Sequence, residues 1–166
     1  MTDAYDPVAR LAELPRESFA EGDIYESLDS ELSDRLQLTQ LGAVYTEVPP
    51  GKSACPFHVH HCEDEMFVIL AGRGCYRFGD QEYEVGAGDV LGAPRGGPEY
   101  AHKLVNTGDE TLRYVAISSR ARIEVCEYPD SGKFGVYSRD DAGETRLRYL
   151  GRAQNTLEYF DGEPLS

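Results

Sequence analysis

Positive charge is what this 166-residue chain has least of: 16 lysines and arginines stand against 30 aspartates and glutamates. The formal net charge is −14 and the pI lies near 4.6. Phosphate backbones and anionic lipid surfaces call for a basic face, so neither nucleic acid nor a membrane surface is an expected partner. Long apolar runs are also missing, and no stretch approaches the roughly 18 residues of a membrane span. The opening "MTDAYDPVARLAELPRESF" has neither a basic leader nor an apolar core, so no secretory signal is read there. Cysteine is sparse: Cys55, Cys62, Cys75 and Cys126 form no CxxC pair and no tight framework. Without an export signal, they read as reduced thiols of a cytoplasmic protein.

What remains is the composition of a globular chain, 40% hydrophobic and 28% charged, of a length that suits one domain. Residues 1–38 are acidic, with helix-friendly patches such as "PVARLAEL" and "ESLDSELSDRLQL", and read as a lead-in arm with a turn or two of helix. From residue 39 the texture changes. Short runs rich in Val, Ile, Tyr and Phe ("AVYTEV", "MFVIL", "CYRF", "EYEV", "DVLGA", "AHKLVN", "LRYVAISS") alternate with glycine-bearing breaks. Ten of the 17 glycines fall between residues 51 and 108, and "FGDQ" and "NTGDE" read as hairpin turns. This is the pattern of an all-β sandwich or barrel, expected over 39–138. The tail, 139–166, is polar and reads as irregular, with a strand at "RLRYL".

Three of the four histidines crowd into one stretch, "HVHHCEDE", residues 58–65, together with three carboxylates. His58 and His60 are two apart, so a strand carries both on one face. Glu65 is an odd number of residues further on, and a turn at "HCED" brings it back to that face. "EMFVILAG" then sets Glu65, Phe67 and Ile69 on one side, a ligand with apolar wall behind it. The last histidine, His102, lies far downstream in the strand-like "EYAHKLVN". Three imidazoles and a carboxylate so arranged suit one divalent transition ion (Fe, Mn, Ni, Co or Zn) rather than Ca or Mg. Glu63 and Asp64 are alternatives to Glu65, and His61 points away by parity. Tyr100 shares parity with His102, which makes it a cavity-lining candidate. Asn106 heads a turn, and Arg95 and Lys103 are the cations nearest to His102. "GAGDVLGA" lacks the ending of a phosphate-binding loop.

The pattern resembles the cupin superfamily, whose first motif is G-x5-H-x-H-x3-4-E-x6-G and whose second is G-x5-P-x-G-x2-H-x3-N. Gly51, His58, His60, Glu65 and Gly72 match the first; Gly88, Pro94, Gly96, His102 and Asn106 match the second. Six residues instead of five separate Gly51 from His58, and five instead of two separate Gly96 from His102. More narrowly, "YPDSGKFGVY" and "LEYFDGE" resemble a branch of small bacterial cupins, some of them provisionally assigned as sugar-phosphate isomerases. The resemblance implies a double-stranded β-helix (a jelly-roll-like barrel) with a bound metal, paired as a homodimer.

The expected function is that of a metal-dependent enzyme acting on a small polar metabolite. For a sugar or sugar-phosphate isomerase, the metal acts as a Lewis acid on substrate oxygens while Glu63, Asp64 or Tyr100 shuttles a proton. An Fe(II)-dependent dioxygenase and a non-catalytic small-molecule binder are the alternatives. A DNA-binding regulator is disfavoured, because residues 1–38 are acidic and too short for a helix-turn-helix.

Overall fold

Buried apolar residues mark the central strands of this computed structural model, which describes residues 5–140 and 143–164. Along Leu41–Val48 (β3), Tyr45 and Val48 are buried, and along Glu65–Ala71 (β5) Phe67 and Ile69 are buried. The remaining strands are β1 (Glu17–Glu21), β2 (Tyr25–Glu31), β4 (Val59–His60), β6 (Arg73–Phe78), β7 (Gln81–Gly86) and β8 (Val90–Ala93). They continue with β9 (His102–Val105), β10 (Leu112–Ser119), β11 (Ile123–Tyr128), β12 (Lys133–Arg139) and β13 (Thr145–Arg152). Every β-run read from the sequence falls on one of them.

The strands make two layers. One is a six-stranded sheet in the order β1-β2-β3-β10-β5-β8. The other comes in two pieces, β7-β6-β9 and β13-β12-β11-β4, stitched together where His58 and His102 form an antiparallel bridge. Between the layers lie Val48, Phe67, Ile69, Tyr76, Leu91, Leu104, Leu112 and Tyr114, contributed by strands of both. This is the all-β double-stranded β-helix that strand spacing and motif led to expect. The link between β5 and β6 turns on Gly72, at φ +84°; a Cβ there would stand 2.7 Å from the Thr111 carbonyl oxygen, so only glycine fits without strain.

The N-terminal segment departs from the expectation. Residues 17–31 are a β-hairpin, and β2 pairs with β3 to extend the six-stranded sheet. Helix is confined to one α-helical turn, Leu32–Arg35 (α1), and a 3-10 turn at Leu11–Glu13. Leu11, Leu14 and Leu32 cover the outer face of that sheet over Ala43, Tyr45, Val115 and Ile117. In the tail the strand expected at "RLRYL" is β13, paired along β12. The extreme ends of arm and tail, residues 1–4 and 165–166, lie outside the described residues.

Candidate metal centre

The bridge that joins the second layer also brings two histidines together. His58 N–H donates to the His102 carbonyl at 3.1 Å, and His102 N–H donates to the His58 carbonyl at 2.7 Å. Residues paired in this way carry their side chains on one face, and the two rings stand 4.5 Å apart between centroids. His60, two residues on, adds its ring 5.0 Å from that of His58. The opposite layer supplies the fourth group: β5 opens with Glu65 after the turn at 61–64. Glu65 Oε2 lies 2.9 Å from His102 Nε2, 3.7 Å from His60 Nε2 and 3.9 Å from His58 Nε2. Three imidazoles from two distant segments thus face one carboxylate oxygen. The ligand atoms of His58, His60 and Glu65 fall within 4.8 Å of one another, and His102 joins them through Glu65.

The other ring nitrogens all face oxygen. His58 Nδ1 is 2.9 Å from the Pro56 carbonyl, His102 Nδ1 3.2 Å from the Tyr100 carbonyl, and His60 Nδ1 3.5 Å from Glu124 Oε1. A neutral imidazole has one N–H to give. Given to the Nδ1 partner, it leaves three Nε2 lone pairs converging on a carboxylate, which repel unless a proton or a cation lies among them. Burial, and then the charge of His102 and His60, push His58 down to about 4, so no proton is held there at neutral pH. Burial works to raise Glu65, but His102, His60 and His58 outweigh it and hold it below the ordinary carboxylate value. His60 moves the other way: burial would lower it, and Glu124, Glu65 and Glu63 raise it overall. The donor set fits a divalent transition ion, with carbonyl oxygens that fix the tautomers of His58 and His102, whereas His60 Nδ1 is buried beside Glu124 without a hydrogen bond among the described residues.

A cavity of about 240 Å3 opens beside the imidazoles. Glu63, a sequence candidate, lines it; its Oε1 accepts from Arg139 Nη1 at 2.8 Å and from Ala121 N–H at 2.9 Å. Tyr100 does not line it. Pro98 begins a 3-10 turn over Pro98–Tyr100, which breaks the strand parity with His102, and the ring packs on Phe78 at 6.1 Å and over Gly96. Only the Tyr100 backbone carbonyl serves the centre. Asp64 is exposed and accepts the Arg95 N–H at 3.0 Å, and His61 pairs with Glu127 at 3.1 Å on the surface, so neither joins the cluster. Lys103 lies over the Tyr25 ring, away from the cavity. Asn106 is fully buried and holds the Val48 and Glu110 carbonyls, a structural role.

Four cavity residues escaped the sequence reading: Glu124, Tyr128, Tyr137 and Arg139. Glu124, Cys126 and Tyr128 alternate inward along β11, and Tyr137 and Arg139 do so at the end of β12. Period-two reading of "EVCEY" and "VYSR" was the available signal.

A family model described as the cupin domain matches residues 44–118. The chain is 32% identical over 71 residues to an oxalate-binding protein of Thermotoga maritima, covering 43% of this chain and 55% of that protein. It is 30% identical over 94 residues to an uncharacterized protein of Methanocaldococcus jannaschii, covering 57% of this chain and 60% of that one. The chain therefore spans little more than half the length of these curated relatives. Among solved structures, a provisionally designated sugar phosphate isomerase of Acidithiobacillus ferrooxidans superposes with TM-score 0.75 at 25% identity, over 89% of this chain and 90% of that one. A cupin-superfamily sugar phosphate isomerase of Silicibacter pomeroyi shares the fold with TM-score 0.74 at 22% identity, over 96% and 97%. The family match, set on this two-layered β-helix, identifies residues 44–118 as a cupin domain, and the solved structures share its double-stranded β-helix fold.

Proposed function

We propose that this cupin is a metal-dependent enzyme acting on a small polar metabolite, in the manner of a sugar or sugar-phosphate isomerase. His58, His60, Glu65 and His102 hold one divalent transition ion. The observation that carries the reading is the convergence of three Nε2 atoms on one Glu65 oxygen, each ring backed by an oxygen at Nδ1. When bound, such an ion supplies Lewis acidity toward carbonyl and hydroxyl oxygens. Glu63 is the proton carrier: among the described residues both of its side-chain hydrogen bonds fall on Oε1, and Oε2 takes and returns the proton beside the cavity. Burial, and then Cys126, push the Tyr128 hydroxyl well above the ordinary tyrosine value, so it stays protonated. Tyr100 plays no part in the proton transfer. The likeness to the Acidithiobacillus protein over most of its length supports the isomerase reading.

A second reading, a binder without turnover, draws support from the oxalate-binding relative, whose named ligand is a small metal-chelating acid. The test is proton exchange. Metal-loaded protein in D2O is expected to wash deuterium into the carbon next to the carbonyl of an aldose or ketose, and E63Q to stop it. Metal-dependent binding with no exchange would make the protein a binder, and O2 uptake on catechols under Fe(II) a dioxygenase.

We further propose that two copies pair. Met66, Leu70 and Val90 stand exposed on the outer face of the six-stranded sheet. Sedimentation is expected to give twice the chain mass of 18.4 kDa; a single-chain mass at micromolar concentration contradicts pairing.

A further inference from the structure

We infer that Arg139 anchors an acid group of the ligand, so that the metabolite is a small carboxylate-bearing hydroxy or oxo acid. The inference rests on the metal-site reading above and narrows its substrate, from a sugar or sugar phosphate to a sugar-like acid without phosphate. Arg139 is the one arginine or lysine among the residues that line the cavity, where it pairs with the Glu63 carboxylate, and Glu124 also lines the wall. A register shift between Ser138 and Arg139 marks a bulge at the end of β12, a feature that re-aims a side chain. Its Nη1 spends both hydrogens inside the protein, on Glu63 Oε1 at 2.8 Å and on the Ala121 carbonyl at 3.1 Å. Nε and Nη2 carry three further N–H groups, and among the described residues none has a partner. The guanidinium is thus fixed by one corner and offers its other edge. It also lines a wider groove of about 710 Å3, so it stands where the cavity meets solvent.

The geometry of that edge selects the anion. Nε and Nη2 form the planar fork that matches a carboxylate oxygen for oxygen. A phosphate dianion would meet a single guanidinium already shared with Glu63, with Glu124 beside it. The groove gives no extra pull: Arg120, Arg122 and Arg139 are opposed there by Asp34, Asp140 and Glu144. A monoanion that brings one planar acid group and neutral hydroxyls is the better fit, and a cavity of about 240 Å3 limits it to a small molecule.

Calorimetry on Mn2+-loaded protein with D-gluconate, D-glucitol and glucose 6-phosphate tests this. Gluconate is expected to bind at least about tenfold more tightly than glucitol, the worth of a charged hydrogen-bonded pair. R139Q should erase that preference while leaving Mn2+ content unchanged, and R139K, which keeps the charge without the fork, should retain only part of it. Equal binding of gluconate and glucitol, tightest binding of the sugar phosphate, or a preference intact in R139Q would each overturn the inference. If R139Q does not fold, R139K decides: full preference in that variant overturns the fork. Failure of the wild-type protein to take up Mn2+ would sink the metal reading itself, whereas Mn2+ bound without acid preference sinks this inference alone.

Discussion

Glu124 accepts the His61 N–H at 3.0 Å and the Cys62 N–H at 3.2 Å, and stands 3.5 Å from His60 Nδ1. One carboxylate thus holds the loop that carries the candidate ligands and stands beside one of their rings. Outer partners of this kind are worth about 10- to 100-fold in metal affinity, so E124Q should weaken binding by that factor in a chelator competition. Unchanged affinity would show that the His60 ring is held by packing alone. Acid acts on the same rings. In metal-free protein His58 titrates near 4 when folded and near 6.5 when unfolded. The unfolded chain takes the proton first, so stability falls as pH drops from about 6.5 toward 4. The lowered value of Glu65 adds a loss in the same direction. The raised value of His60 acts oppositely, its contribution being present below 6.5 and fading as pH rises through the folded value. The displacement of His58 is the larger, so the melting temperature of chelated protein should fall across this window. A flat or rising profile contradicts the assignment. At this scale the convergence of the four candidate ligands was legible because H-x-H fixes a face and the apolar run after Glu65 fixes its strand. Glu124 and Arg139 were not, because they come from strands outside the motifs, and Tyr100 was misplaced by carrying strand parity through Pro98.

Elements read well wherever one face is apolar. β5, β9 and β10 announce themselves by alternation, whereas "ESFAE" and "YESLDSE" do not. β1 and β2 are acidic, and β1 is exposed along its whole length at the sheet edge. β2 takes its strand character from pairing with β3 and β1 from pairing with β2, a tertiary cause that local propensity does not report. Two substitutions probe the elements. Leu112 is wholly buried in the core between the layers, so L112A should cost about 2–5 kcal/mol in denaturant unfolding. G72A forces a Cβ against the Thr111 carbonyl at a positive φ, and should cost more than about 1 kcal/mol. A G72A protein as stable as wild type would show that the β5–β6 turn relaxes freely.

At the scale of the molecule, the proposed metal site and the fold are coupled. The candidate ligands come from both layers, and the bridge between His58 and His102 closes the second layer, so an ion bound there would tie the barrel where its pieces meet. Binding to the folded state alone raises stability by mass action, and chelation should lower the melting temperature. No helix among the described residues is long and apolar enough to cross a membrane. The most direct measurement is elemental analysis of untagged wild-type protein beside H102A. The account predicts about one transition ion per chain in the wild type and loss of most of it in H102A. Less than about 0.2 ion per chain in wild type refolded with excess metal, or full loading of H102A, would contradict it.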